Sequence, residues 1–352
     1  MTALYIGLMS GTSLDALDAV LVDLGNTCAP RLIGEKSHAW QTSEREELLA
    51  LAAGCDDEID RSGRAGHWWA QRASELIAEL LKDHTLQPSD IRAIGSHGQT
   101  LRHRPLGTWP YTLQIGDPSL LAELSGISVV AHFRQRDIAA GGQGAPLVPA
   151  FHQAVFARDD RCVVALNLGG IANISVMQPG HGVRGYDTGP ANMLLDGWCQ
   201  RHSGKAYDEN GRWAASGQCH DALLDKLLAM PYFSLPAPKS TGRESFGMRW
   251  LEQQLATLGE AIPAEDVQAT LLALTATTVA DAILREASAG ELILCGGGAN
   301  NTALCAALAT KLPNWHCLRS EAYGYPTQAI EAMAFAWLAM RFVQGLSGNV
   351  PE

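Results

Sequence analysis

The sequence predicts an α/β protein of two domains, each built on a mixed β-sheet. Three glycine turns carry this prediction. Ser10-Gly11 and Gly169-Gly170 each separate two apolar, strand-like runs, about half the chain apart, and Gly296-Gly297-Gly298 separates an apolar run from a helix starting near Thr302. At 352 residues the chain is long enough for two domains.

The first turn, Ser10-Gly11-Thr12-Ser13-Leu14-Asp15, consists mainly of small residues and ends in a carboxylate. The tip of such a hairpin exposes backbone N–H groups, and Gly11 allows a phosphate to come close. Asp15 would supply a hard oxygen ligand, directly or through water, to Mg²⁺ bound to that phosphate. The alternative is a surface hairpin without a ligand.

The other two turns strengthen the nucleotide interpretation. A buried-type strand that runs into glycines and a helix N-terminus is a ready nucleotide site. Two hairpin turns plus one strand–glycine–helix turn is the organisation of the actin-like ATPase fold of sugar kinases, in which two duplicated domains flank an interdomain cleft. We therefore expect a first domain over residues 1–145 and a second over 146–352, with the last helix packing back on the first.

Composition narrows the function classes. Hydrophobic residues make up 47% of the chain and charged residues 18%, which is typical of a well-cored globular protein. A net charge of −11 argues against nucleic acid and anionic membranes as partners. We see no basic leader and no apolar run near the ~20 residues that a bilayer needs. The eight cysteines lack disulfide-like or metal-like spacing, which predicts a cytoplasmic protein.

The pattern between the turns alternates helices and strands. The periodicity of apolar residues, with the residues that start and stop helices, predicts helices over 43–53, 66–82, 118–125 (capped by Asp117), 147–156, 191–202, 264–286 and 328–344. It also predicts short strands over 91–95, 128–131 and 183–186. Residues 132–146 are expected to form an irregular, turn-rich segment. Thr241 and Glu244 are spaced as a capping box ahead of another helix.

The motifs together resemble one family, the anhydro-N-acetylmuramic acid kinases of peptidoglycan recycling. The resemblance covers nearly the whole chain in order and rests on the segments 7–15, 95–100, 114–116, 133–149, 167–173, 186–190, 239–244, 295–301 and 331–337. The long run Arg136-Asp137-Ile138-Ala139-Ala140-Gly141-Gly142-Gln143-Gly144 is the most specific of them.

The resemblance implies an ATP- and Mg²⁺-dependent phosphotransferase acting on a small-molecule 1,6-anhydro amino sugar. Because O6 of such a sugar is locked in an internal acetal with C1, the enzyme must break C1–O6 with water and place the γ-phosphoryl group on O6. The site then needs a base for water near C1, as in an inverting glycosidase, and donors around the phosphoryl group.

Site residues follow from the resemblance together with the residue types. Asp187 is our candidate for the base, against the alternative of an N-cap aspartate, and Glu331 is its candidate catalytic support. The ATP site is expected at Gly11, Thr12, Ser13, Leu14, Asp15, Gly169, Gly170, Asn173, Gly296, Gly297, Gly298 and Asn300, with Asp15 also holding the metal.

The sugar is expected to contact Ser10, His97, Arg134, Asp137 and Thr188. His97 would bind sugar hydroxyls or, as the alternative, act as a structural histidine bonded to backbone. One of Arg134 and Arg136 would pair with the lactyl carboxylate, against the alternative that both are surface charges. Lys239 and Arg243 would bind phosphate or remain solvated loop charges.

Two other function classes fit the glycine turns. One is an ordinary sugar kinase of the same fold with a free hydroxyl as acceptor, and the other is a non-catalytic nucleotide switch. A panel of sugars distinguishes the first, and ATP binding without sugar-dependent turnover would indicate the second. The resemblance also implies a homodimer.

Overall fold

The computed structural model describes residues 2–11, 14–259 and 261–349, with the side chains of Arg243 and Glu244 left aside. The chain divides into two compact units. Unit 1 comprises residues 1–155 and 329–352, and unit 2 comprises residues 156–328. The change of unit at Val155–Phe156 lies later than the boundary expected at residue 145. The last helix, which was expected to pack back on the first domain, is grouped with unit 1.

Unit 1 is built on one mixed sheet. Its strands are β1 (Leu4–Ser10), β2 (Ala16–Asp23), β3 (Arg31–Ala39), β4 (Ile91–Arg104), β5 (Tyr111–Ile115) and β6 (Val129–Val130). Its first helices are α1 (Thr42–Ala53), α2 (Glu58–Asp83), α3 (Pro118–Ser125), α4 (Phe133–Ala139) and α5 (Pro149–Phe156). The sheet order is β3-β2-β1-β4-β5, with β6 also paired to β4. Strand β2 is antiparallel to β1, whereas β4 is parallel to it.

Unit 2 repeats this arrangement. Its strands are β7 (Val163–Leu168), β8 (Ile171–Met177), β9 (Arg184–Pro190), β10 (Gly290–Cys295) and β11 (Trp315–Arg319). Its helices are α6 (Asn192–Ser203), α7 (Arg212–Ser216), α8 (Asp221–Leu228), α9 (Arg243–Phe246), α10 (Met248–Leu258), α11 (Ala264–Glu286) and α12 (Thr302–Lys311). The sheet order is β9-β8-β7-β10-β11, with β7–β8 and β8–β9 antiparallel and β10 parallel to β7 and β11.

The two sheets therefore share one topology: β3-β2-β1-β4-β6 corresponds to β9-β8-β7-β10-β11. In each, two hairpins are followed by a parallel crossover. This duplication of mixed-sheet α/β units is the actin-like ATPase fold that the glycine turns predicted.

The last helix, α13 (Ile330–Val343), completes unit 1 by packing on its sheet. Two strand glycines make the contact possible. A Cβ at Gly7 would overlap the carbonyl oxygen of Ala332, and one at Gly95 would overlap that of Phe335. Only glycine allows the helix backbone to lie so close to the strands.

Helix α11 is the buried helix of unit 2. By length and composition alone it could cross a membrane, so the expectation that no apolar run approaches ~20 residues was wrong. Val267, Leu271, Leu274 and Ile283 all lie in the hydrophobic core of unit 2. The apolar surface of this helix is therefore used inside the unit.

Several local predictions are confirmed and several were wrong. The helix 118–125 forms, and Asp117 accepts a hydrogen bond from the backbone N–H of Leu120. The segment 132–146, expected to be irregular, contains α4, because residues 133–139 include no glycine or proline and the glycines follow only after the helix has ended. Strand β4 continues well beyond residue 95, so His97 lies inside a strand. The N-cap of α9 is Gly242, so Thr241 does not begin the predicted capping box.

Candidate functional site

In unit 2, a row of polar side chains crosses the sheet beside the Gly169-Gly170 turn. Asn167 of β7 pairs with Asn173 of β8, and Asn173 pairs with Asp187 of β9. Directly opposed residues in antiparallel strands project their side chains from the same face. The two carboxamides and the carboxylate therefore form one row, at the end of the sheet where the turn begins.

Asp187 is buried, with 5% of its surface exposed, and is held at both its backbone and its side chain. Its Oδ2 accepts from the Thr241 N–H at 2.9 Å. Its own N–H donates to the Lys239 carbonyl at 3.0 Å, and its carbonyl accepts from the Tyr232 hydroxyl at 2.7 Å. Burial of the Tyr232 hydroxyl raises its pKa, and the nearby Asp187 carboxylate raises it further. This hydroxyl therefore remains a donor.

Asp187 lies inside β9 and does not cap a helix. Helix α6 begins at Asn192, and the residue in its N-cap position is Ala191. Pro190, expected in the first turn of that helix, is the last residue of the strand. The N-cap alternative for Asp187 is thus wrong, because the strand runs past it before the helix starts.

Both asparagines of the row have buried carboxamide oxygens. Among the described residues, neither Asn167 Oδ1 nor Asn173 Oδ1 has a hydrogen-bond partner. An unsatisfied buried acceptor typically costs about 1–3 kcal/mol. Such a destabilising pair beside a buried carboxylate is typical of a functional site. Thr188, by contrast, uses its hydroxyl to donate to the Ala172 carbonyl at 3.2 Å.

The two glycine turns of unit 2 leave the same edge of its sheet. Asn167 pairs with Cys295 across β7 and β10, so Gly169-Gly170 and Gly296–Gly298 follow neighbouring parallel strands. The Gly170 carbonyl accepts from the N–H groups of Ala191 and Met193 at the start of α6.

The Gly296–Gly298 turn is tightly packed except at its tip. Gly296 has φ +78°, and a Cβ there would overlap Asn167 Oδ1, whereas a Cβ at Gly297 would have no heavy atom within 4 Å. The tip is therefore open to a ligand while its base is fixed. Asn300, expected to contact ATP, is exposed, and its Oδ1 accepts from Arg319 at 2.8 Å.

In unit 1, the first turn is anchored from the neighbouring strand. Ser10 donates its hydroxyl to Gln99 Oε1 at 2.5 Å, and Gln99 Nε2 donates to the Gly11 carbonyl at 3.3 Å. Leu14 is buried with φ +59°, a left-handed conformation, and Asp15 is exposed. Thr12 and Ser13, predicted to contact ATP, lie outside the described residues.

An exposed carboxylate on an anchored turn fits a hydrated Mg²⁺ ion. Within the described ranges there is no cluster of three or more His, Cys, Asp or Glu side chains that could hold a metal. Mg²⁺ commonly uses one or two carboxylates and completes its shell with water and phosphate oxygens. Asp15 is compatible with that kind of site.

His97 is a neutral, fully engaged ring that orients Arg134. Burial, with Arg134 nearby, lowers the pKa of His97 to about 3. The neutral ring then donates Nδ1–H to the Gly98 carbonyl at 2.7 Å and accepts from Arg134 Nε–H at 2.8 Å through Nε2. Both ring nitrogens are thus hydrogen-bonded inside unit 1, an arrangement that fits the structural alternative.

Arg134 and Arg136 differ although they share one helix. Arg134 is half-buried and also donates to the Gly144 carbonyl at 2.7 Å, whereas Arg136 is exposed. Asp137 accepts from the Gly144 N–H at 2.7 Å and contacts Asn349 with its other oxygen. Asp137 therefore braces the glycine-rich turn that follows α4.

Glu331 lies in the first turn of α13 and is half-buried. It stands four residues before Phe335, whose ring lies 4.9 Å from the His97 ring and 5.5 Å from the Phe133 ring, centre to centre. Residues four apart share a helix face. Unit 1 therefore brings Glu331 to the side of α13 that faces His97.

Three supporting residues were missed by sequence reasoning. Gln99 stands within the quoted 95–100 motif, and Thr241 within 239–244, so both motifs contained the signal. Tyr232 precedes Phe233 in an unremarkable apolar stretch, and only the fold brings its hydroxyl to Asp187.

Sequence comparisons point to one family. The family model described as anhydro-N-acetylmuramic acid kinase matches residues 3–352. The chain is 48% identical over 349 residues to the anhydro-N-acetylmuramic acid kinase of Pseudomonas paraeruginosa, covering 99% of this chain and 94% of that one. It is 51% identical over 353 residues to that of Bordetella petrii, covering 99% and 92%.

Among solved structures, the activator of the 2-hydroxyisocaproyl-CoA dehydratase from Clostridium difficile, with bound ADPNP, aligns with a TM-score of 0.46 at 13% identity over all of both chains. The family assignment depends on the sequence matches, which span almost every residue at close to half identity. On that evidence, this chain belongs to the anhydro-N-acetylmuramic acid kinase family.

Proposed function

We propose that this chain transfers the γ-phosphoryl group of ATP to O6 of 1,6-anhydro-N-acetylmuramic acid while water opens the anhydro bridge. The oxygen of water bonds to C1, the C1–O6 bond breaks, and its electron pair stays on O6. O6 bonds to the γ-phosphorus as ADP leaves, and the water gives its proton to a base. The products are N-acetylmuramic acid 6-phosphate and ADP, as peptidoglycan recycling requires.

Asp187 is the proposed base, and its placement is the observation that carries the proposal. Its carboxylate is buried beside Asn173 and is oriented through Oδ2 by the Thr241 N–H. A fixed carboxylate loses little orientational freedom on reaching the transition state. Glu331 is proposed as its support in orienting the water.

Recognition of the sugar is proposed for unit 1. Arg134 is the arginine we assign to the lactyl carboxylate, since His97 and the Gly144 carbonyl fix its guanidinium, whereas Arg136 is exposed. A guanidinium oriented in advance forms a bidentate pair with a carboxylate at lower entropic cost. His97 then acts through Arg134, and Asp137 acts through the turn ending at Gly144.

The glycine turns are proposed to bind ATP. The open tip at Gly297 and the unsatisfied Asn173 Oδ1 support a nucleotide site in unit 2, and the anchored turn at Gly11 supports a phosphate site in unit 1. Asp15 is the proposed ligand of Mg²⁺, directly or through water. Bound there, Mg²⁺ would neutralise charge on the phosphate oxygens.

We further propose that the protein is a cytoplasmic homodimer. All eight cysteines are free thiols, which suits a reducing compartment. The dimer rests on the family resemblance, and light scattering coupled to size-exclusion chromatography measures it directly.

Product analysis tests the proposed reaction. With ATP, Mg²⁺ and 1,6-anhydro-N-acetylmuramic acid in ¹⁸O-labelled water, ³¹P NMR should show a sugar 6-phosphate, and mass spectrometry should place the label on the C1 hydroxyl. Label in phosphate instead would indicate an ATPase. Faster turnover of a sugar with a free 6-hydroxyl would indicate an ordinary sugar kinase, and ATP binding without turnover would indicate a nucleotide switch.

A further inference from the structure

Lys239 of unit 2 is a buried cation with an unusual set of partners. Only 7% of the residue is exposed. Its Nζ donates to the carbonyls of Tyr232 at 3.0 Å and Phe233 at 3.3 Å, and lies 4.6 Å from the centre of the Tyr232 ring. It is therefore neither the phosphate ligand nor the solvated loop charge that its motif suggested.

This arrangement is unfavourable for an ammonium group. Lysine is almost never fully buried without a charged partner, and the contacts that the described residues make with Lys239 Nζ come from two carbonyls and a ring, none of them a carboxylate. Burial, with a contribution from Arg285, lowers the pKa of Lys239. An apolar side chain of similar length would fill the same space without that desolvation cost, so the role of the cation lies in what it holds together.

The cation links two segments, and both of them contact Asp187. The first is the short helix Pro231–Ser234, from which Tyr232 donates its hydroxyl to the Asp187 carbonyl. The second is the loop of Lys239 itself, whose carbonyl accepts the Asp187 N–H and whose Thr241 N–H donates to the Asp187 carboxylate. The buried Nζ ties the second segment back to the first.

We propose that Lys239 is a positioning residue for Asp187: its ammonium group clamps the 231–234 helix to the 239–241 loop, and the clamp fixes the carboxylate in its reactive orientation. This rests on the proposed role of Asp187 as the base. It assigns to Lys239 no contact with ATP or sugar.

The test combines Lys239→Met with Asp187→Asn. Lys239→Met keeps the length of the side chain and removes the donor. A small displacement of a reacting group costs up to about 100-fold in rate, so we expect kcat to fall by roughly 10–100-fold with the KM for ATP unchanged. Lys239→Arg, which restores a cationic donor, should recover part of the loss. Lys205→Met, at an exposed lysine of the same unit, is the matched control and should behave as wild type.

The double variant separates positioning from general damage. If Lys239 acts through Asp187, Lys239→Met should cause no further loss of kcat in the Asp187→Asn background. Multiplicative losses would overturn the proposal. So would a wild-type kcat in Lys239→Met while Asp187→Asn is inactive.

Failure of the proposed function gives a different result. A fully active Asp187→Asn variant would remove Asp187 as the base, and the role of Lys239 with it. Should Lys239→Met fail to fold, Tyr232→Phe replaces it in the same cycle. That variant deletes the hydroxyl that donates to Asp187 and keeps the ring beneath the ammonium group.

Discussion

The β1–β2 end of unit 1 and the β7–β8–β9 end of unit 2 occupy equivalent places in the duplicated fold but present different carboxylates. In unit 1 the turn ends in Asp15, which is exposed. In unit 2 the carboxylate is Asp187, which is 5% exposed, set in a row with two asparagines and bonded by a backbone N–H.

The difference shows how one sheet topology can place carboxylates in two different surroundings, one exposed and one buried. An exposed carboxylate keeps its hydration and can exchange water for a hydrated cation. A buried carboxylate with one oxygen fixed is pre-oriented toward one direction and can accept a proton there. The sheet determines where each acid lies, and the local burial determines which task suits it.

The largest expected effect separates these tasks at Asp187. Asp187→Asn keeps the shape of the side chain and removes the proton acceptor. Since a general base contributes about 10²–10⁴-fold, we expect kcat to fall by that range with binding of ATP and sugar nearly unchanged. Steady-state kinetics with a binding titration measures both. Undiminished turnover would require another base, with Glu331 the next candidate.

The second effect concerns Asp15. We expect Asp15→Ala to remain folded and to lose most of its turnover at ordinary Mg²⁺, and rising Mg²⁺ should partly restore it, because a ligand acting through water typically contributes about 10–100-fold. A Mg²⁺ titration of the rate, in wild type and variant, measures this. Identical Mg²⁺ titration curves would contradict the assignment of Asp15 to the metal site. The contrast drawn here between the tasks of Asp15 and Asp187 would then fail for Asp15.

The third effect uses neighbouring glycines of unit 2 as a matched pair. Gly296→Ala places a Cβ at φ +78° against Asn167 Oδ1, whereas Gly297→Ala enters open space. Because left-handed backbone strain alone costs about 1–3 kcal/mol, Gly296→Ala should lower the free energy of unfolding by at least that amount. Urea denaturation should show Gly297→Ala close to wild type in stability but weaker in ATP binding. Equal stability losses would contradict the description of an open tip.

The smallest effect is the acid sensitivity of unit 1. Burial lowers the pKa of His97 and His152 to about 3 and of His103 to about 4. The unfolded chain binds protons at these histidines below about pH 6.5 and the folded unit does not, so stability should fall as the pH drops from about 6.5 toward 4.

His97→Gln should reduce that acid-side slope by at most ~1.4 kcal/mol per pH unit, the value for one proton. Urea unfolding at a series of pH values provides the slopes. A steeper slope in the variant would mean that His97 is charged in the folded protein.

The sequence was sufficient for the glycine turns, the duplicated strands and the helices with caps, because these depend on local chemistry such as the Asp117 cap of α3. The sequence was insufficient where the extent of an element depends on pairing with segments distant in the chain. The 14-residue length of β4 depends on partners β1, β5 and β6, which no local window contains.

The same limit applies to the candidate site. Asp187 could be singled out from its motif, but its position within β9 and the hydroxyl of Tyr232 beneath it follow from pairings across the unit. Likewise, the spacing of Arg134 and Arg136 does not show which of the two side chains is held in place. The hydrogen bond from Arg134 to His97, which lies 37 residues earlier in the sequence, makes that distinction.

The contact of α13 with Gly7 and Gly95 has a consequence for synthesis of the chain. A ribosome makes the protein from its N-terminus, and domains generally fold as units while they emerge. Unit 2 ends at Gln328, before α13 has been made, so its sequence is complete while unit 1 still lacks a helix. Unit 1, whose synthesis begins first, is therefore the unit that can complete its folding last. A nascent chain that stalls before residue 330 leaves the glycine-lined face of β1 and β4 uncovered and without Glu331.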